Sequence, residues 1–290
     1  MIPAQFDYHA PRTLDEALAL LAEHRDDAKV LSGGQSLLPL LKLRLGSAGH
    51  LVDIGRIPGL DYIKEEGGWL RIGGRTREAE LERSPLIRDK YPLLADTAAV
   101  IADPLVRNLA TVGGNLAHGD PANDHPATML ALRAEVVATG PRGARTIPID
   151  QFFTGLFATA LEPDEILTEI RIPQPPPGSG GAYEKLERKV GDFATAAAAA
   201  QVTLDKSGAV AQAGIALTNV GPTPVRAAEA ERYLTGKQPS AEAIAEAARL
   251  AAAAAAPSAD RRGKIEYKRE MARVLTARAL RRAVLRAKER

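Results

Sequence analysis

The 290-residue chain contains no cysteine. That excludes disulfides, cysteine-ligated iron–sulfur clusters and thiolate zinc sites. Any redox role must therefore run on an organic cofactor here, or on a metal centre carried by another chain. Neither sign of charge dominates, since 38 Lys/Arg against 36 Asp/Glu leave a net charge of +2 and no case for a nucleic-acid partner. Long apolar runs are missing too. The longest bland stretch, Ala248 to Ala256, is mostly alanine and broken by Arg249, so no membrane span is expected. The first residues lack a basic segment followed by an apolar one, which sets a cytoplasmic location as the expectation. Two phosphate-binding fingerprints are also absent, G-x-G-x-x-G opening a helix and G-x-x-x-x-G-K-[ST].

What is present reads as an ordinary globular chain, 45% hydrophobic and 26% charged, long enough for two domains. Thr13 and Glu16 form a capping box ahead of a Leu14, Ala17, Leu18, Leu21 stripe, which predicts a helix. A strand over 29–31 runs into Ser-Gly-Gly-Gln-Ser. Ser36 is placed to cap a following helix with Pro39 in its first turn, and strand 51–54 completes a β-α-β-α-β unit. Gly67-Gly68 predicts a hairpin, and helices are expected near 77–82 and 92–102. Two hairpin arms flank the turn at 141–144, and residues 166–172 alternate with strand period.

The proline- and glycine-rich segment 173–181 reads as a linker between domains. Beyond it, three segments starting at Ala182, Ala194 and Ala209 predict a three-stranded antiparallel sheet, followed by helices over 226–235, 240–256 and 266–288. The alanine run 196–200 suits a helix by propensity, but flanking Thr195, Val202 and Thr203 favour a strand.

Two glycine pairs stand out, Ser32-Gly33-Gly34-Gln35-Ser36 and Thr111-Val112-Gly113-Gly114-Asn115. Without Cβ atoms, backbone N–H groups approach a phosphate closely, and two such loops suit a pyrophosphate. Each loop singly is more often a plain turn.

The segments KVLSGGQSLLPLLKLRL, IADPLVRNLATVGGNLAHGDPANDHPA and YEKLERKVGDFATAAAA, in this order, resemble the FAD-binding medium subunits of the xanthine dehydrogenase/carbon monoxide dehydrogenase family of molybdenum hydroxylases. IALTNVGPTPVRAAEAE and DRRGKIEYK extend the likeness over essentially the whole chain, and the carbon monoxide dehydrogenase branch is matched best through AHGDPANDHPA. The resemblance implies an α+β fold: a two-subdomain FAD-binding domain of the vanillyl-alcohol-oxidase type over 1–55 and 56–176, then a C-terminal domain over 177–290. It implies an electron-transfer subunit without a catalytic acid or base. The partners implied are a small subunit with [2Fe–2S] clusters and a large subunit with the molybdenum cofactor, assembled as a dimer of heterotrimers. Carbon monoxide is the first expectation for the substrate of the whole enzyme, with aldehydes and N-heteroaromatics next.

The same resemblance assigns cofactor contacts. Lys29, Val30 and Leu31 lead into the pyrophosphate loop Ser32, Gly33, Gly34, Gln35 and Ser36, where Gln35 departs from the histidine of carbon monoxide dehydrogenases. Thr111, Val112, Gly113, Gly114 and Asn115 form the second motif. Ile101 matches an apolar residue beside the flavin and Leu167 one lining the isoalloxazine or adenine region, with core packing as the alternative for both. Asp124 matches an acidic FAD contact, or is a helix N-cap. Lys185 matches a lysine near the cofactor, or is solvated on its strand. Phe193 takes the place of an aromatic that lies against the flavin, or fills core. His118, Asp120, Asp124 and His125 are not expected to hold a metal, because a Gly/Pro-containing loop fixes no ligand geometry. Arg278, Arg281, Arg282, Arg286 and Lys288 read as a solvated face of the last helix or an acidic partner's dock.

Overall fold

A computed structural model describes all 290 residues. The chain opens with β1 (Asp7–His9), α1 (Leu14–His24), β2 (Ala28–Leu31), α2 (Leu37–Leu43) and β3 (His50–Asp53). The strands form a parallel sheet in the order β1-β3-β2. Both halves of the expected capping box are made: the Thr13 hydroxyl accepts from Glu16 N–H, and the Glu16 carboxylate accepts from Thr13 N–H. Ala17, Leu18 and Leu21 then pack against Val52 and Ile54. Ser36, by contrast, caps nothing. It already has helical φ/ψ, and α2 starts without a side-chain bond, so that expectation is corrected.

Next come β4 (Ile63–Glu66), β5 (Trp69–Gly73), α3 (Glu78–Arg83), α4 (Pro85–Lys90), α5 (Pro92–Ala99), α6 (Pro104–Arg107), α7 (Val112–Ala117) and α8 (Asp124–Ala131). They are followed by β6 (Glu135–Gly140), β7 (Gly143–Pro148), β8 (Phe153–Gly155), β9 (Ala158–Thr159) and β10 (Ile166–Pro173). An antiparallel five-stranded sheet runs β4-β5-β10-β6-β7. Its apolar face and the helices α3 to α8 enclose a core containing Leu70, Ile72, Leu94, Val136 and Ile170.

The last part contains β11 (Ser179–Leu186), β12 (Ala196–Leu204), β13 (Val210–Thr218), β14 (Val225–Arg226), α9 (Ala228–Leu234), α10 (Ala241–Ala254) and α11 (Ile265–Lys288). Its sheet has four strands in the order β11-β12-β13-β14, which corrects the expected three. The extra strand is two residues long, too short to show a period, and pairs only Leu217 with Val225 and Ala216 with Arg226. The expected linker also shrinks, because Ser179 to Gly181 are already paired in β11.

The alanine run is a strand buried on both faces. Ala197 and Ala199 enter the first core while Ala196, Ala198 and Ala200 enter that beneath α10 and α11. Helices press on both sides, so large side chains have no room. The last helix is less solvated than its arginines suggested. Arg282 and Arg286 both donate to Asp96 on α5, at 2.9 and 2.7 Å, tying the two parts together. No helix is long and apolar enough to cross a membrane.

Candidate functional site

A cleft of about 920 Å³ runs from the carboxyl ends of the parallel strands past α7 to the edge of the last sheet. A ligand site beyond the carboxyl ends of parallel strands is where such sheets ordinarily bind. Of the residues assigned from the resemblance, Lys29, Val30, Ser32, Gly33, Gly34, Gln35, Ser36, Ile101, Thr111, Gly113, Gly114, Asn115, Asp124, Leu167, Lys185 and Phe193 line it. The structure brings together residues as far apart in the chain as Lys29 and Phe193. Leu31 and Val112 do not line it: Val112 is wholly buried in the core under α7, and Leu31 is directed at Gly34.

The two glycine loops meet. Ser32 Oγ lies 3.0 Å from Thr111 Oγ1. A Cβ on Gly33 would stand 2.2 Å from Leu109 O, so only glycine allows the first loop to sit against the chain entering the second. Gly34 has φ of 73°, the left-handed turn that starts α2.

The loops differ in what they offer a ligand. In the second, Val112 N–H donates to Thr76 O, Gly113 N–H to Gly74 O and Gly114 N–H to Thr111 Oγ1. These amides are consumed in docking α7 on the segment that follows β5 and in capping it. In the first, the N–H groups of Gly33, Gly34, Gln35 and Ser36 have no acceptor within the chain. Four consecutive free donors on a half-buried turn are suited to an anion. One more unmet group faces the cleft: Asn115 Oδ1 is buried with no donor, while the neighbouring Asn123 side chain donates to Asn115 O at 2.9 Å. These free groups and the volume fit a dinucleotide cofactor.

The far end is built around Asp124 and Lys185. Lys185 Nζ donates to Asp124 Oδ2 at 2.9 Å and to Val100 O at 3.0 Å, and Tyr183 Oη donates to Asp124 Oδ1 at 2.7 Å. Both side chains of the ion pair are almost fully buried. Burial pushes the Asp124 carboxyl above the usual range, against the pull of Lys185 and the Tyr183 hydroxyl. Asp124 is therefore no N-cap, a position held by Asn123, and Lys185 is not a solvated lysine. Ile101 is kept at the rim by Arg107, whose guanidinium donates to Ile101 O and Ala102 O and to Glu82. Phe193 is half exposed, with the Arg262 guanidinium 5.8 Å from its ring centre.

His118, Asp120, Asp124 and His125 disperse. His118 lies in the cleft beside Phe157, and burial lowers its pKa. The Asp120 carboxylate accepts from Ala122 N–H, and His125 is wholly buried against Glu78 at 2.7 Å. Sequence reasoning missed Arg25, Asp26, Asn123, Phe157 and Glu162 in the lining. Asn123 stood inside the second motif segment, Arg25 and Asp26 lie in the turn just before Lys29, and Phe157 and Glu162 carried no local signal because a distant segment brings them in.

A cleft made by two interlocked glycine loops on a mixed α/β frame defines a dinucleotide-cofactor protein. Comparison with known proteins makes this specific. Residues 4–175 match the model of the FAD binding domain in molybdopterin dehydrogenase, and residues 181–283 that of the CO dehydrogenase flavoprotein C-terminal domain. The chain is 50% identical over 281 residues to the carbon monoxide dehydrogenase medium chain of Hydrogenophaga pseudoflava, covering 97% of each. It is 47% identical to that of Afipia carboxidovorans, covering 99% of this chain and 100% of the relative. A solved structure of the Hydrogenophaga pseudoflava carbon monoxide dehydrogenase, lacking the Mo-pyranopterin moiety, superposes with a TM-score of 0.96 over 99% of both chains at 50% identity. The chain belongs to the family of FAD-binding flavoprotein subunits of molybdopterin dehydrogenases.

Proposed function

We propose that this chain holds FAD in the cleft and passes electrons from [2Fe–2S] clusters of a small partner subunit to an external acceptor. A large partner with the molybdenum cofactor oxidises the substrate, for which carbon monoxide is the first choice, and the cytoplasmic assembly is a dimer of heterotrimers. The identity to carbon monoxide dehydrogenase medium chains over nearly the full length supports this choice. In this reading 1–55 and 56–176 are the two subdomains of a vanillyl-alcohol-oxidase-type FAD domain, and 177–290 is the C-terminal domain.

One observation carries the cofactor assignment: the four free N–H groups of Gly33 to Ser36 lie beside Thr111, bonded to it through Ser32. They receive the pyrophosphate. Asn115 Oδ1 accepts from a donor on the cofactor, and Ile101, Leu167 and Phe193 exclude water around its apolar parts. The Asp124–Lys185 pair fixes the floor of the cleft without presenting a free charge. When bound, the flavin supplies the electron-transfer chemistry, and the protein supplies binding and orientation.

Denaturing the purified chain or complex and identifying the released chromophore tests this. About one equivalent of non-covalent FAD is expected, because two loops converging on one site suit a dinucleotide. Recovery of FMN, or of no flavin, would remove the proposal.

A further inference from the structure

The chain has five histidines, and three of them meet at the opening sheet. His9 ends β1, His50 begins β3 and His24 ends α1. In the parallel register Asp7 pairs with His50 and His9 with Val52, so His9 and His50 point to one face, the face α1 covers. The crossover from β1 to β2 brings the carboxyl end of α1 over the amino ends of the strands, which delivers His24 to the other two. His9 Nε2 lies 3.0 Å from His50 Nδ1. One nitrogen from each of the three rings falls within 4.8 Å of the others.

We propose that His9, His24 and His50 form a structural site for a divalent transition ion, with Asp7 or water as the fourth ligand. Imidazole nitrogens suit Zn²⁺, Ni²⁺ and Cu²⁺. Two ligands at about 2.0–2.1 Å in tetrahedral geometry stand about 3.3 Å apart, close to the His9–His50 separation. Asp7 Oδ2 is already 4.0 Å from His50 Nδ1 on an exposed side chain. His24 now stacks on His50, with centroids 3.6 Å apart and planes 6° apart, so its ring turns to direct a lone pair at the ion. The three rings are half-buried, which leaves a path for the ion from solvent. The carboxyl end of α1 adds favourable dipole potential for a cation.

The role is structural because of position. The glycine loop leaves the carboxyl end of β2 after Leu31, whereas His50 pairs with Ala28 at the other end. An ion here staples β1 and α1 to the middle strand, at the opposite end of β2 from the glycine loop, with Arg25 and Asp26 of the cleft lining following His24 in the chain.

The probe is Co²⁺, titrated into untagged, chelator-stripped full-length chain. A single equivalent should develop the visible bands of a four-coordinate nitrogen/oxygen site, and Zn²⁺ should displace it and raise Tm with concentration. His24→Gln and His50→Gln should each abolish the bands. FAD retention reports folding of each variant, and His9→Gln replaces any variant that loses flavin. No saturable Co²⁺ spectrum in the parent chain, or one that persists in folded His24→Gln or His50→Gln, would overturn the site.

Discussion

Ser32 and Thr111 lie 79 positions apart in the chain, yet their hydroxyl oxygens are 3.0 Å apart. That bond is the latch between the two glycine loops, and Thr111 Oγ1 also accepts from Gly114 N–H to cap α7. Thr111→Val keeps the shape and removes both bonds. It should cost about 1–2 kcal/mol of stability by loss of the cap, read by urea denaturation. FAD affinity should fall about tenfold, equivalent to about 1.4 kcal/mol. Ser32→Ala removes only the latch, so stability should change little while flavin release accelerates.

Gly33 and Gly114 should respond differently to alanine. At Gly33 the new Cβ meets the Leu109 carbonyl, which is backbone and cannot step aside. At Gly114 it meets Thr111 Oγ1 at 2.7 Å, a side-chain atom that can rotate away from its cap. Gly33→Ala should abolish flavin retention, and Gly114→Ala should weaken it while the chain stays folded. Flavin content after gel filtration distinguishes them; full retention by Gly33→Ala would contradict the packing of the loops.

Much of the frame was legible because local chemistry decides it. The Thr13–Glu16 capping box, the Gly67-Gly68 hairpin with both glycines at positive φ, and the strand ending at Pro173 needed no distant partner. The strand over the alanine run was legible only from its β-branched flanks, because burial on two faces erases any alternation. What stayed hidden depended on tertiary approach. β14 is too short to carry a pattern, and Arg107, which fixes Ile101, reads in sequence as a surface arginine. The glycine pairs were legible as turns with room for a phosphate, and only the family resemblance joined them into one candidate site. Which loop keeps free amides was not legible, because Gly74 and Thr76 consume those of the second.

Lys185→Met leaves the Asp124 carboxyl buried with only Tyr183 and no cation. Removing one partner of a buried pair costs about 3–5 kcal/mol. Chemical denaturation should show such a loss, and the added change Asp124→Asn should recover a large part of it. A Lys185→Met chain as stable as the parent would mean that the pair is not closed in solution.

The Phe193 segment should loosen in acid. Arg262, then Arg188 and the Phe193 N–H, hold the Asp192 carboxyl down to about 2. Its ordinary value is about 3.9. The ionised form is favoured in the folded chain, so this stability is complete above the ordinary value and is lost as pH falls toward about 2. Asp192→Asn should flatten the stability profile over that window and leave it parallel to the parent's at neutral pH.

The relay itself is tested most directly by watching the visible absorbance of the bound oxidised flavin in the isolated chain and in the reconstituted three-subunit complex. Carbon monoxide, aldehyde or N-heteroaromatic is added without oxygen. The account predicts no bleaching in the FAD-loaded chain alone, and bleaching with the matching substrate once both partners are present. Substrate-dependent bleaching by the chain alone would contradict it, as would a complex that reduces its iron–sulfur clusters while the flavin stays oxidised.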